Sequence, residues 1–399
     1  MDLKIFTQNV EPKTLNHIYH LMSLKEFKNS KVRIMPDVHG GNESVIGFTS
    51  VVKDGDGVIP NIVGGDIGCG VSVTEFGKCD IDFAKFDEVV KNNVPAGRNL
   101  HEFPKEENKT RKLFESLKCY EHLRNKNKLL LSLGTLGGGN HFIELATDDE
   151  KNVYLLIHSG SKNGGAQVAR YYQKLGIKQS KDNNDEKRKL IDRLKSEGRE
   201  KDIQTELKKL SPNEPKRTAN LIAVYGKTKE DYLHDLRIMQ EFASRNRKKM
   251  AEIILKNYFD KFDIRNNILN LEYWESTHNY IAEDNIIRKG AISAYEGEKV
   301  VIPINMRDGS LIGLGKGNSE WNYSAPHGAG RLFSRTVAKQ KITLEDFLET
   351  MKGVYTTTAN IDTIDEAPMA YKPIKEILEN VTGNVEITKH IKPIYNFKA

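Results

Sequence analysis

Hydrophobic and polar positions along the chain follow patterns typical of both helices and strands. Residues 231–257 carry apolar side chains at helical spacing, which predicts one long amphipathic helix. The apolar run at residues 153–161 predicts a buried strand that ends at His158. Residues 299–314 predict two strands around a turn, and residues 340–393 predict helices alternating with short strands. We therefore expect a fold that mixes helices and strands.

One segment, residues 178–217, differs from the rest because it is dense in charged residues and poor in apolar ones. It predicts a solvated helical hairpin that breaks near Gly198 and stops at Pro212 and Pro215. We interpret it as a surface insertion. The alternative is an arm that contacts RNA phosphates, and the mixing of its basic residues with acidic ones weakens that alternative.

The composition of the 399 residues limits the class of protein. No apolar run approaches the roughly 20 residues that cross a bilayer, and the first ten residues lack the pattern of a signal peptide. We therefore expect a cytoplasmic protein with no membrane contact. The three cysteines are too few, and odd in number, for a disulfide framework. The net charge of +6 is compatible with a nucleic-acid partner but does not require one.

The stretch GGDIGCG, residues 64–70, places Asp66 and Cys69 three residues apart among four glycines. Glycine allows positive φ angles and close backbone approach. Such a stretch is either a tight turn with an incidental aspartate and a buried cysteine, or a device that directs both side chains to one point.

Four of the eleven histidines stand beside glycine or at the end of a strand: His141, His158, His278 and His327. A single histidine of this kind is more often structural than a ligand, but four of them together with an Asp-x-x-Cys motif favour a metal site. One carboxylate, one thiolate and three imidazoles exceed the four ligands of a closed zinc site. They suit two metals bridged by the thiolate, and Mn²⁺, Zn²⁺, Co²⁺ and Fe²⁺ are all compatible with these donors.

In the stretch SAPHGAGR, residues 324–331, His327 is followed by small residues that expose backbone N–H groups. Such a loop can bind phosphate, and Arg331 could add a charged contact. A histidine beside a bound phosphate can act as a nucleophile. The alternative is a ligand-free loop with a capping histidine. GLGKGN, residues 313–318, is not a P-loop, because the required glycine and hydroxyl positions are missing.

Taken together, these stretches resemble the RNA-splicing ligase RtcB family, from about residue 30 to the C-terminus. Each motif alone is weak, but their number and order are specific. The matching stretches are MPDVHGG (35–41), GGDIGCG (64–70), LGTLGGGNHFIEL (133–145), IHSGS (157–161), QEFASRNR (240–247), THN (277–279), RKGAISAY (288–295), PHGAGRLFSR (326–335), EAPMAYK (366–372) and the terminal FKA.

The resemblance implies an α+β fold: one large mixed domain over residues 1–399, with central β-sheets flanked by helices and the charged insertion at 178–217. It implies an enzyme that joins RNA ends with GTP and two manganese ions. The family's metal ligands correspond to Asp66, Cys69, His141, His158 and His278.

The resemblance also assigns the nucleotide chemistry. His327 corresponds to the histidine that becomes guanylylated, and Asp37 to the aspartate that orients it. The guanine, ribose and phosphate contacts would come from several parts of the chain. These are Asn140, His141, Phe142, Ile143 and Glu144; His278 and Asn279; Pro303, Ile304, Asn305, Met306 and Ser310; and Gly328, Ala329, Gly330, Tyr371 and Lys398, with His327.

Three positions depart from the family pattern. Asn305 stands where serine is common, Lys162 stands where arginine is usual, and residues 324–326 replace a cysteine-containing run. Lysine cannot make the planar bidentate phosphate contact of arginine. The departures leave the ligand set whole and bear on which RNA ends are preferred.

We therefore predict a GTP- and Mn²⁺-dependent ligase that joins RNA 3′-phosphate or 2′,3′-cyclic phosphate ends to 5′-hydroxyl ends. Its chain would act as a monomer in tRNA splicing or RNA repair, and the need for an activating protein stays open. Lys289, Arg247 and Lys162 are candidates for RNA phosphate contacts. The alternatives are a metal-dependent RNA-end phosphoesterase and a non-catalytic RNA-binding protein with a structural metal.

Overall fold

The computed structural model describes residues 2–41, 43–53, 55–210, 221–259 and 271–399, without the side chains of 181–188 and 207–210. The strands are β1 (Asp2–Ile5), β2 (Lys31–His39), β3 (Ile46–Val51), β4 (Gly70–Gly77), β5 (Phe142–Thr147), β6 (Val153–Ser159), β7 (Glu272–Thr277), β8 (Asn279–Ile281), β9 (Ile286–Lys289), β10 (Ala291–Ser293), β11 (Lys299–Asn305), β12 (Gly309–Gly315), β13 (Ser324–Pro326) and β14 (Val385–Lys398).

The α-helices are α1 (Pro12–Ser23), α2 (Pro60–Val63), α3 (Phe83–Asn93), α4 (Glu107–Glu115), α5 (Lys126–Leu130), α6 (Lys162–Ser196), α7 (Ile203–Leu210), α8 (Gly226–Tyr258), α9 (Arg335–Lys341), α10 (Leu344–Thr350) and α11 (Ile374–Val381). Short 3₁₀ turns lie at Tyr120–His122, Glu200–Asp202, Ser319–Trp321, Ile364–Glu366 and Pro368–Ala370. In the described part of the chain, no helix has both the length and the apolar character needed to cross a membrane.

The strands form two large sheets and one small one. The five-stranded sheet has the order β1-β2-β3-β9-β8, and the seven-stranded sheet has the order β11-β12-β14-β5-β6-β4-β7. β10 pairs with β13. Among the described strands only β1 and β2 pair in parallel, so the sheets are largely antiparallel with helices packed around them. The α+β fold is therefore confirmed.

Helix α8 connects the two main parts of the core. In its first half Leu236 belongs to the same buried cluster as Ile18 of α1 and Ile62 of α2, and in its second half Ile254 belongs to the same cluster as Leu145 of the seven-stranded sheet. Each such fully buried aliphatic side chain contributes about 1.5–3 kcal/mol of hydrophobic stabilisation. The amphipathic helix predicted at 231–257 is confirmed, and its two halves are buried in two different clusters of the core.

Other elements test the remaining predictions. The strands predicted at 153–161 and 299–314 are confirmed as β6 and the β11–β12 pair. The prediction of only short strands near the C-terminus is wrong, because β14 runs for 14 residues and pairs with both β12 and β5. Its register shifts between Pro393 and Tyr395. A proline supplies no N–H to the ladder, so it interrupts the pattern of the strand.

The charged segment begins inside α6, which continues to Ser196. Gly198 has φ +69° and separates α6 from the turn and helix that follow, so the predicted break is confirmed. Pro212 and Pro215 lie outside the described residues. That residues 178–217 form a surface insertion on a single domain stays a prediction.

Candidate active site

The five predicted metal ligands lie together where strands of the seven-stranded sheet begin or end. Sγ of Cys69 lies 3.3 Å from Nε2 of His158 and 3.6 Å from Nε2 of His141. Among the described residues, the donor atoms form two overlapping groups that share this sulfur. The groups are Cys69 with His158 and His278, and Cys69 with Asp66 and His141.

The antiparallel register of four strands explains why these distant residues meet. At this end of the strands β4 and β5 begin while β6 and β7 end. Gly70, the first residue of β4, pairs with both Ser159 and Thr277. Phe142 of β5 pairs with His158. The residues at or next to these strand ends therefore converge, and the backbone N–H of His278 donates to the carbonyl of Cys69 at 2.8 Å.

Glycine is required in the loop that precedes β4. Gly68 has φ +68°, and a Cβ there would lie 2.8 Å from Cα of Gln240 on α8. Gly160 follows β6 and leaves room for Asp66. Any side chain at residue 160 would place its Cβ 2.2 Å from Oδ1 of that aspartate. The glycines therefore let the loop bring Asp66 and Cys69 inward against packed backbone.

Hydrogen bonds to backbone carbonyls fix the ring orientation of two histidines. Nδ1 of His141 lies 2.9 Å from the carbonyl of Leu136, and Nδ1 of His158 lies 3.1 Å from that of Asn140. A carbonyl only accepts hydrogen bonds, so each Nδ1 carries the proton and each Nε2 presents a lone pair to the cluster. Burial lowers the pKa of His158 and of His278 well below the ordinary value, so both rings stay neutral.

This donor set fits a cation. Nε2 of His141 lies 3.0 Å from Oδ2 of Asp66, and Nε2 of His158 lies 3.4 Å from Nε2 of His278. With Nδ1 of His141 protonated, its Nε2 lone pair faces the carboxylate of Asp66, an arrangement that a bound cation relieves. Burial and the Asp66 charge raise the pKa of the Cys69 thiol, and nearby cations would favour its thiolate.

His327 lies beside this cluster and is held by Asp37. Oδ2 of Asp37 lies 2.6 Å from Nδ1 of His327 and accepts hydrogen bonds from the backbone N–H groups of His327 and Gly328 at 3.1 and 3.2 Å. Asp37 is fully buried, so its carboxylate has little contact with water. The ring centroids of His327 and His278 are 4.7 Å apart. A histidine whose Nδ1–H bonds a carboxylate presents its Nε2 as a nucleophile or base.

A cavity of about 1350 Å³ opens in front of His327. The segment around residue 303, the loop after His327 and the end of β14 form its walls. The predicted nucleotide residues that line it are Asn140, Phe142, Glu144, Pro303, Ile304, Asn305, Met306, Ser310, His327, Gly328, Ala329, Gly330, Tyr371 and Lys398. The predicted metal ligand His158 also lines it.

Four other predicted nucleotide residues lie outside this lining, and two of them, His141 and His278, belong to the donor cluster. Ile143 packs in the core on the opposite face of β5, since neighbouring strand residues alternate between faces. Asn279 lies behind the loop, where it donates to the carbonyl of Asp66 and accepts from the N–H of Gly290.

Several buried polar atoms in the cavity walls have no protein partner. Oγ of Ser310 and Oε1 of Glu144 are buried and make no hydrogen bond to the described part of the chain. Burial raises the pKa of Glu144 to about 8, against the hydrogen bond from Asn396 and the charge of Lys398. Such atoms are suited to hydrogen-bond a ligand, because an unpaired buried polar group is costly.

Two arginines among the basic residues near the site are already paired within the protein. Arg247 is buried and bonds the carbonyls of Gly68 and Ser159 and the carboxylate of Glu275. The prediction that Arg247 grips RNA is therefore not supported by its position. Arg331 lines the cavity but pairs with Glu366 at 3.2 Å, so part of its charge is already compensated.

Two lysines remain close to the donor cluster. Lys289 lines the cavity and donates to the carbonyl of Val63 at 2.9 Å. Nζ of Lys162 is buried without a hydrogen-bond partner in the described chain, and burial lowers its pKa to about 7.

Sequence reasoning missed several residues of this cavity. His39 has its ring centroid 6.5 Å from that of His327, and Glu366 and Asn396 also line the walls. His39 and Glu366 stand in the motifs MPDVHGG and EAPMAYK, so their motifs were a usable signal. Asn396 stands in a plain strand pattern that gives no such signal.

Comparisons with known proteins identify relatives of the chain. A family model described as tRNA-splicing ligase RtcB matches residues 18–126 and 105–399. The RNA-splicing ligase RtcB1 and the RNA-splicing ligase RtcB of two Escherichia coli strains are each 30% identical to the chain, over 92% of it and 90% of each relative. The tRNA-splicing ligase RtcB of Aeropyrum pernix is 25% identical over 96% of the chain and 91% of its own length.

Proposed function

Because the chain belongs to the RtcB family and is an RNA ligase, we propose that it joins RNA 3′-phosphate or 2′,3′-cyclic phosphate ends to 5′-hydroxyl ends with GTP and Mn²⁺. The observation that carries this proposal is the pairing of His327 with Asp37 beside the donor cluster, 4.7 Å from the ring of His278. A carboxylate-backed histidine next to metal donors is what a histidine–GMP intermediate requires. That the chain acts as a cytoplasmic monomer, in tRNA splicing or RNA repair, stays a prediction.

The cluster would hold two Mn²⁺ ions through Asp66, Cys69, His141, His158 and His278. When bound, these ions would neutralise phosphate charge that develops during phosphoryl transfer. The neutral imidazoles of His158 and His278 support this assignment, because a metal binds the unprotonated ring.

In the first step Nε2 of His327 attacks the α-phosphate of GTP. The Nε2–P bond forms, the bond from the α-phosphorus to the bridging oxygen breaks, and pyrophosphate leaves. Asp37 holds the Nδ1–H and stabilises the positive charge on the ring, as a buried carboxylate does for a catalytic histidine. The backbone N–H groups that follow His327 lie on the cavity wall and are suited to contact phosphate oxygens.

The guanine and ribose would occupy the deeper part of the cavity. The unpaired oxygens of Glu144 and Ser310 support this placement, together with the polar groups of Asn140, Tyr371 and Lys398. Glu144, with its raised pKa, can bind the purine edge either as an acceptor or, when protonated, as a donor.

In the later steps the guanylyl group moves from His327 to an RNA 3′-phosphate. The 5′-hydroxyl of the second strand then attacks this activated phosphorus, GMP leaves, and a 3′–5′ phosphodiester forms. A 2′,3′-cyclic phosphate end would first be opened by hydrolysis at the same centre. Lys289 and Lys162 stay candidates for RNA phosphate contacts, and Asn305, which is bonded to Asp308 at 2.9 Å, is held within its turn.

Labelling with GTP that carries a radioactive α-phosphate tests the proposal. With Mn²⁺, the wild type should keep label after denaturing electrophoresis, and His327→Ala should not. His122→Ala is a matched control, because that ring stacks on Tyr171 away from the cavity. A phosphoesterase would process RNA ends without labelling, and a non-catalytic RNA-binding protein would do neither. Either result would overturn the proposed reaction.

A further inference from the structure

We propose that His39 is the general base that accepts the proton of the RNA 5′-hydroxyl during strand joining. The proposal rests on the proposed function, because it assigns a residue to the last step of that reaction. Neither the metal donors nor the His327–Asp37 pair supplies this proton acceptor in the mechanism above.

His39 stands at the right place for this role. It ends β2, two residues after Asp37, and lines the same cavity as His327. The two rings are stacked, with centroids 6.5 Å apart and planes within 19° of each other. Among the described residues, the donor cluster around Cys69 does not include His39. The ring therefore lies beside the site of phosphoryl transfer without being a metal ligand.

One hydrogen bond fixes which nitrogen of His39 can accept a proton. Nδ1 lies 2.8 Å from the backbone carbonyl of Asp37. That carbonyl can only accept, so Nδ1 carries the proton and Nε2 carries the lone pair. Asp37 thus orients both histidines, His327 through its carboxylate and His39 through its backbone.

Nε2 of His39 is available for a substrate. No group in the described ranges of the chain hydrogen-bonds to it. Burial, and the charges of His327 and Arg331, lower the pKa of His39 to about 4, so its ring is unprotonated at neutral pH. Bound RNA phosphate would raise that pKa, since a nearby anion favours the imidazolium that forms when the proton is accepted.

Another histidine of the cavity provides a contrast. His17 of α1 also lines it, but its Nε2 lies 3.2 Å from the carbonyl of Glu43 and therefore carries a proton in that hydrogen bond. Its Nε2 is already used. In His39 it is Nδ1 that bonds a backbone carbonyl, which leaves Nε2 for a substrate.

The proposed step is balanced. The O–H bond of the 5′-hydroxyl breaks and its proton moves to Nε2 of His39. The oxygen forms a bond to the guanylylated 3′-phosphorus, and the bond from that phosphorus to the oxygen of GMP breaks. GMP leaves with the electron pair, and the imidazolium later returns its proton to water.

The test uses RNA whose 3′ end already carries the guanylyl group, with an acceptor strand that ends in a 5′-hydroxyl or in a 5′-thiol. A thiol with a pKa of about 8.5 ionises without help and bypasses a general base. The variants are His39→Asn, whose amide can still donate to the Asp37 carbonyl, and His122→Asn as the control, because that ring stacks on Tyr171 away from the cavity. Labelling of the enzyme by GTP is measured in parallel.

We expect His39→Asn to lose about 100-fold or more in sealing the 5′-hydroxyl strand, the usual contribution of a general base. It should lose little with the 5′-thiol strand or in GTP labelling, and His122→Asn should resemble the wild type in all three. An equal loss with both acceptors, or a loss mainly in GTP labelling, would show that His39 only positions its neighbours. A wild type that cannot seal the guanylylated RNA would instead overturn the proposed function. If His39→Asn does not fold, His39→Gln gives the same comparison.

Discussion

Oδ2 of Asp37 lies 2.6 Å from Nδ1 of His327, which lines the cavity. The same oxygen also accepts hydrogen bonds from the backbone N–H groups of His327 and Gly328. One buried oxygen therefore fixes the loop, the ring and the tautomer of the proposed nucleophile. A change of this single carboxylate should affect the chemistry more than the fold around it.

Asp37→Asn should lower the rate of guanylylation by about 10³-fold or more. The amide oxygen can still accept from Nδ1–H and from the two backbone N–H groups, but the amide has no negative charge to stabilise the positive charge that forms on the ring. The rate of label transfer from GTP measures the effect. Binding of Mn²⁺ should stay close to that of the wild type, and a variant that labels at the normal rate would rule out the electrostatic role of Asp37.

Cys69→Ala should abolish binding of Mn²⁺ at the paired site together with guanylylation, because both groups of donor atoms share its sulfur. Calorimetric titration with Mn²⁺ measures the binding. Cys79→Ala and Cys119→Ala are the matched controls, since neither thiol belongs to these groups, and both should keep metal binding and labelling. Equal losses in all three variants would contradict the metal role of Cys69.

The sequence predicted the chemical groups of the site better than their arrangement. Asp66, Cys69 and the histidines could be named from short motifs, because each motif pairs a reactive side chain with glycine or a strand end. Their convergence depends on the register of four antiparallel strands, in which Gly70 faces both Ser159 and Thr277. Pairing between strands this far apart in the chain cannot be deduced from local patterns.

The predictions that were wrong share a physical cause. Arg247 was a candidate for RNA contact, but its guanidinium is buried, where it donates to two backbone carbonyls and to the carboxylate of Glu275. β14 was missed because lysines and Pro393 interrupt its alternation, although it lies inside the seven-stranded sheet. In both cases tertiary partners that are distant in the sequence decide the outcome.

Glu144→Gln should change the pH dependence of stability in the absence of GTP. Burial raises the pKa of Glu144 to about 8 from an ordinary value of 4.5. Between these values the folded protein keeps a proton that the unfolded chain releases, so the free energy of unfolding contributed by this group is lost as pH rises. The total is on the order of a few kcal/mol, since one pKa unit corresponds to about 1.4 kcal/mol.

The variant should therefore be more stable than the wild type at pH 8 and little different at pH 5, while its affinity for GTP falls. Urea unfolding at both pH values measures the first effect, and calorimetric titration with GTP measures the second. Glu150→Gln, at an exposed position close in sequence, is the control and should change neither. An unchanged pH slope in Glu144→Gln would contradict the raised pKa.

Replacement of residues 181–217 by a short flexible linker should leave guanylylation nearly unchanged. The first half of α6 belongs to the core, where Val168 and Tyr172 are buried and Gln179 bonds Thr228 of α8 at 3.0 Å. The replaced segment begins after these contacts. Labelling by GTP and a single thermal unfolding transition are the two measurements. A version that folds but takes no label would show that the segment belongs to the active site.

His327→Ala should separate the steps of the reaction. The variant keeps Asp66, Cys69 and the three histidines of the donor cluster, so it should bind Mn²⁺ like the wild type. It lacks the nucleophile, so it should form no covalent adduct with GTP and should not join 3′-phosphate to 5′-hydroxyl ends. It should still seal RNA that already carries the 3′ guanylyl group, because that step needs the metals, the alignment of the strands and a proton acceptor other than His327. Retained labelling would place the nucleophile elsewhere, and loss of Mn²⁺ binding would make His327 a ligand. Loss of sealing on the guanylylated RNA, with Mn²⁺ binding intact, would make His327 itself the base of the last step.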